Sequence, residues 1–342
     1  MPELPEVTVI VNSLNRKIKG LVLESIEYDW PKGFHWNGFS MKDLKGARVT
    51  GVERRGKVVI INLQNAKRLK TKAKKSVSRS SLDISRISIL IHLKLTGQLI
   101  YQDAKTRIAG GHPIPPLNLP VPNKTTRVTF GFTNGGPTSS VRLPFDKTQG
   151  KRSGLRGTSH LYFNDIRKFG WVKIVSSIPT SLKELRGVSK DPISIAIGKL
   201  GPDALEISFK EFSERLEARG KSRIKKLLMD QGFISGIGNI YSDEALWRAK
   251  IHPSMSVASL TDAEIKALYK GIQDSLKLAI EKGGSSANSF VDSGGEKGLF
   301  LTFARAYHMT GRPCARCRGP IERKKMDGRS AHFCPKCQLL KN

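Results

Sequence analysis

Pro2 and Glu3 form a pair that could do covalent chemistry. The small Pro2 side chain permits removal of Met1, and the new terminus is then a free secondary amine. An α-amino group titrates near ~7.7–8, so part of it is neutral at physiological pH. It can attack an aldehyde-like carbon and form an iminium without any lysine. Glu3 beside it is a carboxyl able to move protons. The same start also reads as an ordinary helix opening at Pro5.

Two other clusters carry chemistry. Cys314 and Cys317 are followed, after sixteen intervening residues, by Cys334 and Cys337. Two Cys-x2-Cys knuckles at this spacing can place four thiolates tetrahedrally around one zinc ion, and a site filled by four sulfurs keeps no position for substrate. The zinc is therefore expected to be single and structural. Between the knuckles lie Arg318, Arg323, Lys324, Lys325 and Arg329, so the finger is basic and suited to a nucleic-acid backbone or groove. The third cluster is the turn Gln231–Tyr241, with glycines at 232, 236 and 238. It reads either as a plain helical hairpin or as a nest of backbone N–H groups that binds an anion. Asn239 is expected to cap the following helix, whose N-terminus adds positive potential there. Lys221, Arg223, Lys225 and Lys226 just upstream favour a phosphate.

The composition agrees with a polyanionic partner. The 342 residues carry 59 Lys+Arg against 29 Asp+Glu, a net charge of +30. Such an excess opposes compaction by self-repulsion unless a partner neutralises it. Nucleic acid fits better than a membrane, because no stretch approaches the ~20 apolar residues of a spanning helix. The acidic, proline-bearing start is unlike a secretory leader, and the four cysteines are expected to bind metal in a reducing cytoplasm rather than pair as disulfides.

The elements that position these residues read as α+β. Residues 6–19 suggest a helix through Val7, Val11, Leu14 and Ile18, with a strand as the alternative given the β-branched content. From Leu21 to about Val175 the pattern is β. Lys57–Leu63, Ile87–Leu95, Arg127–Phe132, Leu161–Phe163 and Trp171–Val175 are strand-like, and Glu53–Gly56 is turn-like. Several short strands between turns predict a β-sandwich or barrel. The run Asn65–Ser81 has seven Lys/Arg and no acid, and predicts a basic loop. Gln102–Lys124 and Thr133–Ser159, rich in Pro, Gly, Ser and Thr, predict surface insertions. Helices are expected over Phe209–Ala218, Ser222–Met229, Asn239–Ala249 and from Thr261, with Glu264 completing a capping box, to Lys282. The expected division is a sandwich over 1–175 with insertions near 65–86, 102–124 and 133–159. A linker over 176–190, a helical domain over 191–284, and a loop with the zinc ribbon over 285–342 follow.

The Pro2–Glu6 start, the segment Gly236–Tyr241 and the terminal four-cysteine finger together resemble the formamidopyrimidine-DNA glycosylase family of bifunctional base-excision enzymes. The resemblance spans nearly the whole chain apart from the basic loop and the insertions. It implies an N-terminal β-sandwich, a helix–two-turn–helix domain and a zinc ribbon acting on duplex DNA that contains a damaged base. Pro2 matches the nucleophile, Glu3 the acid that protonates the sugar, and Lys57 the hairpin lysine that reaches the lesion. His92, Asn239 and Arg329 match phosphate contacts. Arg167 and Phe169 match the residues that pair with the orphaned base and wedge into the stack. Leu95 stands where methionine is common and Lys168 where arginine is common. Residues Gly283–Phe300 match a loop that covers the flipped base. The resemblance implies excision of oxidised purines with β,δ-elimination by a monomer, with no membrane partner. An endonuclease VIII-like enzyme for oxidised pyrimidines and a non-catalytic zinc-dependent nucleic-acid-binding protein are the alternatives. Leu4, where the pyrimidine-directed branch typically has glycine, favours purines.

Overall fold

The computed structural model describes residues 1–65, 86–111, 119–134, 158–176, 198–286 and 298–341. Helix α1, Leu4–Ile18, begins two residues earlier than the periodicity suggests, because Glu3 is its N-cap and donates its backbone N–H to Glu6 Oε2 at 2.8 Å. Its buried stripe of Val7, Ile10, Val11, Leu14 and Ile18 packs into the core of the N-terminal half, whereas Leu4 belongs to the core of the C-terminal half. One helix thus pins the two halves together.

Ten strands build the N-terminal half: β1 (Val22–Tyr28), β2 (Phe34–His35), β3 (Arg48–Arg55), β4 (Val58–Gln64), β5 (Arg86–His92), β6 (Gly97–Gln102), β7 (Arg107–Gly111), β8 (Thr126–Thr133), β9 (Thr158–Asp165) and β10 (Trp171–Ser176). A short helix, α2 (Met41–Leu44), precedes β3. The strand order is β2-β10-β5-β4-β3-β1-β8-β9-β6-β7, antiparallel except for β2 on β10. β1 meets β3 only at Val22 and Arg48 but runs along β8 from Val22 to Tyr28, so the hydrogen-bonded ribbon folds over at β1. Val59, Ile61, Ile89, Ile91 and Ile174 from one layer then share a core with Leu99, Phe130, Phe132, Leu161 and Phe163 from the other. This is the expected sandwich.

The structure corrects three local readings. Glu53–Arg55 are not a turn: β3 runs through them, and only Gly56 and Lys57 turn, with Gly56 at φ +55°. Arg54 ties the strand to α1 by donating to Thr8 Oγ1 at 2.6 Å and to the C-terminal half by pairing bidentately with Asp203. The expected strand Ile87–Leu95 stops at His92, two residues before Lys94 takes a left-handed φ of +50°, and the next strand, β6, begins at Gly97. The expected insertion 102–124 contains edge strand β7. Its small residues read as loop but allow close approach: a Cβ on Gly110 would lie 2.6 Å from Ile10 Cγ1. Most of the expected basic loop, the middle of the 133–159 insertion, residues 177–190 of the expected linker and residues 287–297 of the expected covering loop fall outside the described residues, and Ser176 ends β10. Among these stretches, Thr133 and Thr158 pair directly across the neck of the second insertion.

The C-terminal half is helical. Helices α3 (Phe209–Glu217), α4 (Ile224–Leu228), α5 (Asn239–Ala249), α6 (Asp262–Glu281) and α7 (Phe300–Phe303) follow in order. Thr261 caps α6 by accepting from Glu264 N at 3.3 Å, with Glu264 reciprocating at 2.9 Å, as the capping-box pattern predicts. Gly283 and Gly284, both at positive φ, end it. The chain closes with the hairpin β11 (Glu322–Met326) and β12 (Arg329–Phe333) between the two cysteine pairs. Among the described residues, no helix is long and apolar enough to cross a membrane.

Candidate active site

The N-terminus of α1 docks against the turn between α4 and α5. Leu4 N donates to Gly236 O at 3.0 Å, and the Glu3 carboxylate lies over the N-terminus of α5. Glu3 Oε1 accepts from Ile240 N at 3.0 Å, and Oε2 lies 3.5 Å from Tyr241 N. This docking explains the glycines. A Cβ on Gly236 would sit 2.4 Å from Leu4 Cδ1, and one on Gly238 would sit 2.4 Å from Glu3 Cδ. The turn is therefore built around the chain's own terminus, and the positive end of α5 is already matched by a carboxylate.

Asn239 does not cap α5. Gly238 is the N-cap and Asn239 is the first helical residue, because the N–H groups a cap would satisfy are taken by Glu3. The Asn239 side chain is thereby released toward the cavity, and its buried Oδ1 has no hydrogen-bond partner in the protein.

The cavity between the halves has a volume of about 320 Å³, inside the usual range of about 300–1,000 Å³ for ligand sites. Met1, Pro2, Glu3, Lys57, Leu95, Asn239 and Arg329 all border it. Six sequence-derived candidates from the N-terminus, the β3–β4 turn, the 93–96 turn, α5 and the finger thus converge on one space. Lys57, carried by the Gly56 turn, donates Nζ to Ile237 O at 2.8 Å. His92, Arg167 and Phe169 do not border it. Arg167 and Phe169 sit on the surface, with Phe169 half exposed and the Arg167 guanidinium 4.7 Å from its ring centroid, while His92 is half-buried with its ring 5.5 Å from that of Trp171.

Burial sets the charge states. The Met1 amine is held below the usual value of 8.0, mainly by desolvation and with help from Lys57 and Arg329, against the pull of Glu3 and Glu6. Burial likewise lowers the Lys57 ammonium. Burial, with Lys94 and Lys57 nearby, pushes His92 down to about 3. His92 is thus neutral, and because Nδ1 accepts from Lys94 N at 3.0 Å, its Nε2 carries the proton.

Sequence reading passed over several residues that hold this site. Glu6 is buried against the cavity and gathers Glu3 N at 2.8 Å, Tyr241 Oη at 2.6 Å and Ser285 N at 2.7 Å. Desolvation, then the charge of Glu3, raises its pKa. Its spacing three residues after Glu3 is a capping-box signal that was available. Gln231 fixes the turn by accepting from Gly236 N at 3.0 Å and donating to Ile237 O at 2.8 Å. On α5, Glu244 accepts from the backbone N–H groups of Ala306 and Tyr307, both at 2.9 Å, which places Tyr307 at the cavity wall. Its neighbour Asp243 takes Lys225 Nζ at 2.5 Å and both His332 N and Nδ1, at 3.0 and 2.9 Å, so the finger hairpin bearing Arg329 is latched to α5. Two adjacent acids on a helix buried nearly all round were the sequence signal for this pair.

The four cysteine sulfurs lie within 4.8 Å of one another. Zinc at about 2.3 Å from each sulfur needs them about 3.8 Å apart, so the cluster fits a tetrahedral ion. Trp247 Nε1 donates to Cys314 Sγ at 3.4 Å, and Arg316 stacks on the Trp247 ring at 4.0 Å while donating to Trp247 O.

A sandwich and a helix–two-turn–helix unit sharing a cavity at the chain N-terminus, with a thiolate finger at its edge, define a class of DNA glycosylases. Family models match in that order: the formamidopyrimidine-DNA glycosylase N-terminal domain over residues 1–172, its H2TH domain over 200–291, and the zinc finger found in FPG and IleRS over 311–339. Curated relatives named formamidopyrimidine-DNA glycosylase include one from Pelotomaculum thermopropionicum, 33% identical and covering 100% of both chains. Another, from Heliobacterium modesticaldum, is 34% identical over 99% of this chain and 100% of its own. Among solved structures, wild-type Lactococcus lactis Fpg (MutM) in complex with DNA containing N7-benzyl-Fapy-dG matches at a TM-score of 0.70. It is 27% identical over 99% of this chain and 100% of its own. Thermus thermophilus MutM matches at 0.69 and 27% identity over 100% of both chains. The chain belongs to the formamidopyrimidine-DNA glycosylase family.

Proposed function

We propose that this DNA glycosylase excises oxidised purines, 8-oxoguanine and formamidopyrimidines, from duplex DNA and then cleaves the strand by β,δ-elimination. The observation that carries the reading is a cavity bordered by Met1, the buried Pro2, Glu3, Lys57, Asn239 and Arg329. Removal of Met1 leaves the Pro2 amine in the same desolvated space, where the neutral, nucleophilic form is favoured.

The damaged nucleotide must leave the stack to reach this cavity, and damage lowers the cost of doing so. Lys57, His92, Asn239 and Arg329 hold the backbone around the extruded nucleotide, while Leu95, Arg167 and Phe169 occupy the vacated space. The Pro2 nitrogen forms a bond to C1′ as the glycosidic bond breaks and its electron pair leaves with the base. Glu3 Oε2, whose contact to Tyr241 N is at the margin of a hydrogen bond, is the oxygen that takes the proton released by the Pro2 nitrogen and passes it to the sugar ring oxygen. Ring opening then gives the iminium. That cation acidifies the C2′ proton, whose loss expels the 3′ phosphate, and a second elimination expels the 5′ phosphate. Water returns the amine.

Cys314, Cys317, Cys334 and Cys337 would hold one zinc ion, which supplies structure and no reactive position. Arg329, Lys57 and Pro2 all come from one chain, which supports action as a monomer. The division near 1–175, 191–284 and 285–342 belongs to the same reading.

The test uses one sequence in two forms. Chain carrying Met1 and chain freed of it by methionine aminopeptidase are each mixed with abasic duplex DNA and borohydride. Only the processed form is expected to give a covalent adduct, with DNA affinity equal in both. Equal adduct formation by the Met1-bearing form overturns the assignment of Pro2.

A further inference from the structure

We infer that Asp165 is a positioning residue that locks two loops, 93–97 and 165–170, into a single wedge, with Thr96 as the key between them. The inference rests on the function proposed above and specifies how its void-filling residues are kept ready.

The two loops come from different strand pairs. The first joins β5 to β6 and presents Leu95; the second joins β9 to β10 and presents Arg167 and Phe169. Gly97 and Asp165 face each other across the β6–β9 ladder, so both loops leave the sheet at one place. The Asp165 side chain is fully buried there and accepts from four donors. Phe169 N, Gly170 N and Arg167 N reach it at 2.9, 2.7 and 3.2 Å, and Thr96 Oγ1 also donates to it. Three of these donors belong to its own loop. Thr96 belongs to the other, and its hydroxyl also accepts from Arg167 N at 3.4 Å. Behind the carboxylate, Arg127 donates Nε to Asp165 O at 2.9 Å and pairs with Asp29 at 3.0 Å, which fixes the backbone from below.

What this frame supports is costly to hold in water. Leu95 is 44% exposed and Phe169 50% exposed. Lys94 and Lys168 beside them take left-handed φ values of +50° and +56°. A pair of loops with exposed apolar tips and strained flanks collapses or disperses unless a buried group organises its N–H donors. Leu95 borders the cavity and Phe169 does not. The latch therefore ties the residue at the cavity mouth to the residue beyond it, so that one rigid body enters the duplex. Pre-ordering removes the entropy of arranging each tip during extrusion.

The experiment compares wild type with Thr96→Val, Thr96→Ser and Asp165→Asn. One substrate is a duplex with 8-oxoguanine opposite cytosine and 2-aminopurine on its 3′ side, which reports unstacking. The other is a single-stranded abasic oligonucleotide, which has no void to fill and reads Pro2 chemistry alone through borohydride trapping. Thr96→Val and Asp165→Asn are expected to lower duplex excision and the 2-aminopurine signal about tenfold, the scale of one hydrogen bond to a buried carboxylate. Thr96→Ser keeps the hydroxyl and is expected to stay within about twofold. Single-strand trapping is expected to be unchanged throughout. Duplex excision by Thr96→Val at the wild-type rate overturns the inference, as does a parallel loss on both substrates, which marks a general structural defect. Absence of any adduct with wild type overturns the underlying function instead.

Discussion

Gly238→Ala separates two explanations of the glycine turn. Gly238 has φ −135°, an extended value open to alanine, so backbone strain does not enter. The added Cβ would lie 2.4 Å from both Cδ and Oε1 of Glu3 and 2.8 Å from Oε2. Ordinary contact begins near 3.4 Å, so the carboxylate must retreat by about 1 Å. Its 3.0 Å bond from Ile240 N is then broken. Losing a hydrogen bond to a charged group costs about 1.5–3 kcal/mol, and alanine at an N-cap position about 1 kcal/mol more. A shift of about 1 Å in a reacting group costs about 10²-fold in rate. The expected variant is therefore about 2.5–4 kcal/mol less stable and cleaves about a hundredfold more slowly at saturating DNA, with affinity unchanged. Urea unfolding, single-turnover cleavage and anisotropy binding measure the three quantities. Gly220→Ala, whose Cβ meets nothing closer than 3.6 Å, is the control. A Gly238→Ala enzyme that loses affinity but keeps its rate would show the turn to be a phosphate nest and refute the docking account.

Two other perturbations address charge and metal. Lys57 has its pKa lowered in the folded state, so the unfolded chain binds more protons between that lowered value and the ordinary 10.5, and stability contributed by this group rises with pH in that window. The stability of wild type relative to Lys57→Met, measured in urea at pH 7 and at pH 10.5, is expected to increase with pH; a difference independent of pH contradicts the burial argument. Verified removal of metal from the four-cysteine cluster is expected to weaken DNA binding tenfold or more, through loss of the hairpin that presents Arg329, while sandwich unfolding is unaltered. Unchanged affinity after removal would take the finger out of the DNA site.

The sequence showed the parts more clearly than their joints. The capping box at Thr261, the cysteine spacing and the alternating strands are local signals, and each appears where its pattern predicts. Glycine was the misleading residue type. At positions 236 and 238 it makes room for Leu4 and Glu3, more than two hundred residues away, and at 110 it admits Ile10. A single glycine carries no record of what will approach it. Asn239 was misread for the same reason, since its capping role was taken by a carboxylate from the other end of the chain. Arg54 looked like part of a turn because its partner Asp203 is remote. The candidate site was legible as residue types, but not the buried acids Glu6, Asp165, Asp243 and Glu244 that hold it.

In the proposed mechanism the chain's own N-terminal nitrogen is the nucleophile. Borohydride trapping on a duplex with 8-oxoguanine opposite cytosine, followed by proteolysis and mass spectrometry of the cross-linked peptide, tests it directly. One adduct is expected, on the Pro2 nitrogen of a chain lacking Met1. An adduct on Lys57 or another lysine, with Pro2 free, would contradict it.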